Sequence, residues 1–204
     1  MIIRLLDAGK RFRRDWIFRN LNLTFNQGDT VAILGPNGSG KSTLLQCIST
    51  AITLSEVKIE FEHSGKIIEP ENFFSHTSFC APYLELPEEL TLHEMIRFHF
   101  KFKKILDGIS EKEVMEISTL AAHQLKQIAQ FSSGMKQRLK FTLALLSDVP
   151  VVLLDEPCTN LDEAGILWYQ EMIRKFKMER TIVVASNQSH EYDYCRRKIL
   201  VGGN

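Results

Sequence analysis

Three short segments, Thr30-Val31-Ala32-Ile33-Leu34, Val151-Val152-Leu153-Leu154 and Thr181-Ile182-Val183-Val184-Ala185, are apolar with no polar alternation beyond an opening threonine. Strands of this kind are covered on both faces, as in the middle of a parallel sheet. Leu21-Asn22-Leu23-Thr24-Phe25 instead alternates at period two, and Met1-Ile2-Ile3-Arg4-Leu5-Leu6 reads as a strand before it. Val57-Lys58-Ile59-Glu60-Phe61-Glu62 also alternates, then meets the Ser64-Gly65 turn and Lys66-Ile67-Ile68, which predicts a β-hairpin. His76-Thr77-Ser78-Phe79-Cys80 is expected to be a further core strand ended by Ala81-Pro82, and Lys198-Ile199-Leu200-Val201 a short last one.

Between these strands lie helix signals. Thr91-Leu92-His93-Glu94 and Ser110-Glu111-Lys112-Glu113 are capping boxes. Residues 96–103 alternate strictly, the period of a strand, but the upstream cap and the spacing of Met95, His99, Phe102 and Leu106 predict a helix, with His99 as a packing residue. Ser132-Ser133-Gly134-Met135-Lys136-Gln137-Arg138 opens another helix that runs to Leu146, and Asp162 is the expected N-cap of an amphipathic helix ending near Lys177. The basic, aromatic stretch Lys10-Arg11-Phe12-Arg13-Arg14-Asp15-Trp16 reads as a solvated turn between the first two strands. Its functional alternative is that Phe12 or Trp16 stacks on a base. No repeat, low-complexity segment or linker interrupts the chain, so one α/β domain is expected over residues 1–204.

The first buried run leads directly into Gly35-Pro36-Asn37-Gly38-Ser39-Gly40-Lys41-Ser42-Thr43, which fits the phosphate-binding loop G-x-x-x-x-G-K-[ST]. The glycines let the backbone wrap an anion, so that amides from about Gly38 to Thr43 point inward and the following helix adds its dipole. Lys41 is the group that reaches the β- and γ-phosphates, and the Ser42 hydroxyl is a ligand for Mg²⁺. Downstream, the second buried run delivers Asp155-Glu156-Pro157 at its C-terminal end, the edge of an open α/β sheet where ligands bind. Asp155 can hold the Mg²⁺ coordination shell, and Glu156 can orient or deprotonate an attacking water.

Composition narrows the partners. Lys+Arg and Asp+Glu number 25 each, which argues against a broad nucleic-acid-binding surface, and no nucleic acid is expected. Cys47, Cys80, Cys158 and Cys195 show no metal-ligand spacing and read as reduced, mostly buried thiols. No apolar run approaches a bilayer span and no signal-peptide pattern opens the chain, so a soluble protein is expected whose membrane role comes through a partner.

The motifs, in this order, make the chain resemble the ATPase subunits of ABC transporters over essentially its whole length. Residues 35–43 look like that family's Walker A loop, and Phe12 falls where the family places an adenine-stacking aromatic. Phe131-Ser132-Ser133-Gly134-Met135 resembles the signature usually written LSGGQ, Val151 to Pro157 resembles Walker B with its catalytic glutamate, and Thr159-Asn160-Leu161-Asp162 resembles the D-loop. The resemblance implies a P-loop NTPase (ABC ATPase) core with a mixed sheet, an N-terminal antiparallel β subdomain and a small helical subdomain over about residues 83–140. It implies binding and hydrolysis of ATP with Mg²⁺ in a head-to-tail dimer, formed with itself or a sister ATPase subunit. Ser132, Ser133, Gly134 and Asp162 would then face the γ-phosphate held by the opposite subunit. It also implies an integral membrane transporter subunit that receives the motion, so that the chain works in the cytoplasm at the inner face of the membrane.

Two positions depart from the family pattern. The Q-loop glutamine aligns with Pro82, which has neither a side-chain amide nor a backbone N–H. The switch histidine aligns with Asn187, which can donate to a γ-phosphate oxygen but cannot shuttle a proton; His190 reaches in only if its loop is shifted. The expectation is a functional but slow ATPase. The competing functions are a non-transport soluble ABC ATPase and an ATP-dependent clamp or regulatory subunit that barely hydrolyses its nucleotide.

Overall fold

Parallel and antiparallel pairing are both present in the computed structural model, which describes residues 1–202, and they are segregated into two sheets. β1 (Ile2–Phe12), β2 (Asp15–Phe25), β4 (Ile59–His63) and β5 (Lys66–Ile68) form an antiparallel sheet ordered β2-β1-β4-β5. β3 (Thr30–Leu34), β6 (Thr77–Cys80), β7 (Val151–Asp155), β8 (Thr181–Ala185) and β9 (Arg197–Leu200) form a parallel sheet ordered β6-β7-β8-β3-β9. The absence of polar alternation in β3, β7 and β8 has a direct cause. Val31, Ile33, Val151, Leu153, Val183 and Ala185 enter one apolar cluster, while Ala32, Val152, Leu154, Ile182 and Val184 enter another on the opposite face.

The first cluster is closed by α1 (Lys41–Ile48), whose Leu44, Leu45, Cys47 and Ile48 are packed between the two sheets with Ile3, Leu5, Phe25 and Phe61. The second is closed by α2 (Leu92–His99), α3 (Glu111–Ile117), α4 (Ser133–Leu146) and α5 (Glu163–Phe176). Each fully buried Leu, Ile or Val contributes roughly 1.5–3 kcal/mol, so the shared sheet ties both layers into one core. α6 (Ser189–Tyr192) is a short turn of helix between β8 and β9.

Both capping boxes form as expected: Thr91 and Ser110 side chains accept from the Glu94 and Glu113 amides, and the glutamates reach back to the cap N–H groups. Two expectations are corrected. The helix predicted through Leu106 ends at His99, because Phe98 and Phe102 are exposed while Leu106 turns inward and pairs its N–H with the Leu146 carbonyl. The stretch from Lys10 to Trp16 is not a long solvated turn. β1 and β2 extend through it, leaving only Arg13-Arg14 as the reversal, and the Arg11 and Arg19 guanidinium groups lie 5.4 and 4.5 Å from the centroid of the Trp16 ring. The aromatic face that attracts a cation keeps those strand ends paired despite their charge.

Candidate functional site

The strand order decides which loops meet. β7, β8 and β3 are neighbours, and Asp155 and Ile33 both register against Ala185. The C-terminal ends of these strands therefore bring the phosphate loop, Asp155-Glu156 and Ser186-Asn187 to one edge, the usual ligand edge of an open parallel sheet.

The loop itself is built from positive φ values. Gly35, Gly38 and Gly40 sit at φ +152°, +80° and +95°. At Gly35 a Cβ would stand 2.1 Å from the Val201 carbonyl oxygen, and at Gly40 it would stand 2.4 Å from Ile17 Cγ2, so both positions require glycine for space as well as torsion. Gly40 also leaves α1 with no side-chain cap, which frees the first-turn N–H groups for an anion. Lys41 is buried, and its ammonium donates to the Gly35 and Pro36 carbonyls at 2.8 and 3.1 Å, curled within the loop it would otherwise leave for a phosphate. A cavity of about 230 Å³ is lined by Asn37, Gly38, Gly40, Lys41, Ser42, Thr43, Glu156 and Ile17.

Asp155 is 1% exposed, and burial pushes its carboxyl above the usual range while the Ser42 and Tyr83 hydroxyls and the Lys41 charge oppose that rise. Tyr83 Oη donates to Asp155 Oδ2 at 3.0 Å. Oδ1 is buried with no hydrogen-bond partner in the protein, and the Ser42 hydroxyl lies near enough to the carboxylate to oppose the rise in its pKa. A hard divalent cation with oxygen ligands suits that pair, so the residues present fit Mg²⁺. Glu156 holds φ +41°, an uncommon value for a non-glycine residue, and its N–H bonds the Ala185 carbonyl at 2.9 Å. Strain at such a position persists where the surroundings over-determine it, as they do between β7 and β8. Asn187 is exposed and donates from Nδ2 to Asn37 Oδ1 at 2.8 Å, so this side chain, and not His190, lies against the phosphate loop.

The second group of predicted residues stands apart. Ser132 caps α4, its hydroxyl accepting from the Met135 amide, and both Ser132 and Ser133 are exposed. Gly134 allows the Asn160 carbonyl to approach, since a Cβ there would lie 2.9 Å from that oxygen. Asp162 caps α5 through Gly165 and lies 3.7 Å from the Arg138 guanidinium of α4. Neither Ser132 nor Asp162 lines the phosphate-loop cavity of its own chain.

Phe12 is exposed at the end of the first hairpin, with the Lys10 ammonium 4.8 Å from its ring centroid, and does not line the cavity. Ile17 does, a residue that nothing in the sequence distinguishes from other strand positions. The motifs also do not single out Tyr83, which follows Pro82 by one residue. Glu191 is the third. Its buried carboxylate accepts from the Cys158 amide at 2.6 Å and from the Ser186 hydroxyl, bracing the turns that follow β7 and β8. Cys158, His190 and Glu191 place ligand atoms within 4.8 Å of one another, but both Glu191 oxygens are already engaged in that brace. The four cysteines are free, three of them buried. A larger concavity of about 520 Å³ lies away from the phosphate loop, between the segment around Leu84 to Pro87 and the α2 face carrying Phe98 and His99.

A phosphate loop, a strand-end carboxylate pair and a two-layered parallel-sheet core define a P-loop nucleotide-binding fold. The sequence profile described as "ABC transporter" matches residues 18–159, and the chain belongs to the ABC transporter family as an ATP-binding cassette. The lantibiotic transport ATP-binding protein SrtF of Streptococcus pyogenes is 27% identical over 199 residues, 95% of this chain and 83% of that protein. The spermidine/putrescine import ATP-binding protein PotA of Fusobacterium nucleatum is 30% identical over 163 residues, 78% of this chain. The chain spans 43% of PotA and 61% of the uncharacterized ABC transporter ATP-binding protein YcbN of Bacillus subtilis, so some relatives are much longer. The fold matches the dimeric post-hydrolysis cassette MJ0796 bound to ADP and Pi with a TM-score of 0.83 at 22% identity, covering 98% of this chain and 94% of that one. It also matches a bacterial Atm1-family ABC exporter with ATP bound, TM-score 0.81 at 19% identity, covering 98% of this chain and 37% of that one. Among the described residues no helix is long and apolar enough to cross a membrane.

Proposed function

We propose that the chain binds and hydrolyses Mg·ATP as the motor subunit of an ABC transporter, closing head-to-tail on a second cassette and passing that motion to a separate transmembrane subunit. The observation that carries this reading is the division of the predicted residues into two groups. Lys41, Ser42, Asp155, Glu156 and Asn187 converge on one sheet edge, whereas Ser132 and Ser133 are exposed and the Ser132-Ser133-Gly134 turn does not line that cavity. A helix N-terminus with a serine hydroxyl and free amides is an anion site, and here it is open to a phosphate carried by another molecule.

In this reading the loop amides and Lys41 cradle the phosphates, Asp162 and the Ser132 turn complete the opposite site, and Phe12 lies free to meet a base. Ser42 and Asp155 would hold Mg²⁺, which supplies charge neutralisation on the phosphate oxygens. Glu156 accepts the proton of the attacking water, and Asn187 donates to the γ-phosphate without taking part in proton transfer. The groove beside α2 is the surface for the membrane subunit. Its wall from Leu84 to Pro87 adjoins Tyr83, so a physical connection runs from the groove to Asp155.

Turnover by the wild type, Glu156→Gln and Lys41→Ala tests the proposal. The wild type hydrolyses slowly, Glu156→Gln accumulates a Mg·ATP-dependent dimer in sedimentation, and Lys41→Ala loses nucleotide. No hydrolysis above the Lys41→Ala control, even with the membrane partner present, refutes the motor assignment. Pro82 and Asn187 favour a second reading, an ATP-dependent clamp, which predicts the dimer with turnover unchanged by Glu156→Gln.

A further inference from the structure

After β6 the chain turns through Ala81-Pro82-Tyr83. Pro82 offers no polar side chain and no N–H. One residue later, the Tyr83 hydroxyl donates to Asp155 Oδ2 at 3.0 Å. The tyrosine remains 47% exposed overall, so the inward direction of its hydroxyl is not forced by general burial. The turn is held from beneath. Lys140 on α4 donates to the Ala81 and Pro82 carbonyls at 3.1 and 2.8 Å, and the Phe79 ring meets the Tyr83 ring edge-on with centroids 6.4 Å apart. A carboxylate as deep as Asp155 needs a donor to stay ionised. Tyr83 supplies one to Oδ2 while Oδ1 stays without a protein partner.

We propose that Tyr83 is a positioning residue for the metal carboxylate. Its hydroxyl occupies Oδ2 and so leaves Oδ1, the unpartnered oxygen of a carboxylate that the Ser42 hydroxyl also approaches, for the divalent cation that accompanies the nucleotide. The orientation that Pro82 cannot give is thus supplied by its neighbour, through the carboxylate and not through direct contact with metal or water. The inference rests on the assignment of Asp155 to the metal.

The test uses the full chain with ADP and Mn²⁺, read by electron paramagnetic resonance titration, together with ADP affinity in EDTA. Tyr83→Phe removes only the hydroxyl and keeps the ring against Phe79. The expected result is about tenfold weaker Mn²⁺ binding to the nucleotide complex, with ADP affinity in EDTA and the circular dichroism spectrum unchanged. A purely structural tyrosine would leave Mn²⁺ affinity alone or lower metal-free ADP affinity along with it, and either result overturns the proposal. Asp155→Asn separates the two layers of the argument. Should Asp155→Asn weaken Mn²⁺ binding while Tyr83→Phe does not, the role of Tyr83 falls and the metal assignment stands. Should Asp155→Asn leave Mn²⁺ binding intact, both fall.

Discussion

Replacing His99 by glutamine probes how the α2 face is held to the core. Its Nε2 lies 3.0 Å from Ser147 Oγ, and Ser147 gives its own hydrogen to the Leu143 carbonyl at 2.7 Å. The serine oxygen therefore accepts, and the imidazole is neutral with its hydrogen on Nε2. Burial, aided by the Lys103 charge, pushes the His99 pKa down from 6.5 to about 4. At about 1.4 kcal/mol per unit, the neutral form is favoured in the folded state by about 3 kcal/mol, reduced to about 2–3 kcal/mol by the water that still reaches the ring.

The sign follows from proton counting. Between about pH 4 and 6.5 the unfolded chain binds a proton at this position and the folded chain does not, so stability rises with pH across that window. Above pH 6.5 the contribution is complete; as pH falls toward 4 it is lost. Asp155 and Glu191, whose carboxyls burial raises, give slopes of the opposite sign, but they are common to both proteins and cancel in the difference. Urea unfolding of nucleotide-free wild type and His99→Gln at pH 7.5, 6.5, 5.5 and 4.5 is the assay, at about these spacings to sample the whole window. The wild type is expected to lose about 2–3 kcal/mol more than the variant over the titration. Equal pH slopes for the two proteins, or an imidazole that titrates near 6.5 in the native state, would refute the reasoning.

Arg180 is buried and donates to the Leu145, Ser147, Phe176 and Lys177 carbonyls, capping the C-terminal ends of α4 and α5, and its pKa is lowered by burial to about 10. Arg180→Met strands those carbonyls and is expected to lower stability by about 2–4 kcal/mol in urea unfolding at neutral pH. Gly40→Ala places a methyl group against Ile17 at φ +95°. It is expected to weaken binding of a fluorescent ATP analogue at least about tenfold and to cost about 2–4 kcal/mol of stability from torsion and overpacking together; unchanged affinity would show that the loop tolerates a wider cradle.

Much of the site was legible along the chain because its chemistry depends on local order. A glycine-rich loop between a buried strand and a helix is a contiguous string whose backbone conformation follows from its residues, and two acids at a strand end are equally visible, although the positive φ of Glu156 is imposed by its surroundings. Capping boxes at Thr91 and Ser110 are similarly local, since donor and acceptor lie three residues apart. Continuous apolar runs announced strands covered on both faces, and the alternating assignment of β3, β7 and β8 side chains to two clusters is the packing that required them.

What the sequence could not decide is which non-neighbours meet. Asn187 touches Asn37 across 150 positions, Tyr83 reaches Asp155 across 72, and Glu191 braces Cys158 and Ser186. Ile17 enters the phosphate-loop cavity instead of the more conspicuous Phe12 or Trp16 because the hairpin continues to Arg13-Arg14, which sets the side of the strand each residue faces. The end of α2 at His99 was hidden for the same reason: whether Phe102 or Leu106 is buried depends on the surface that the rest of the chain presents. Local strings determine backbone preferences and the kinds of groups available; strand order and side-chain packing determine their distances, because those arise from free energy shared between segments far apart in the chain.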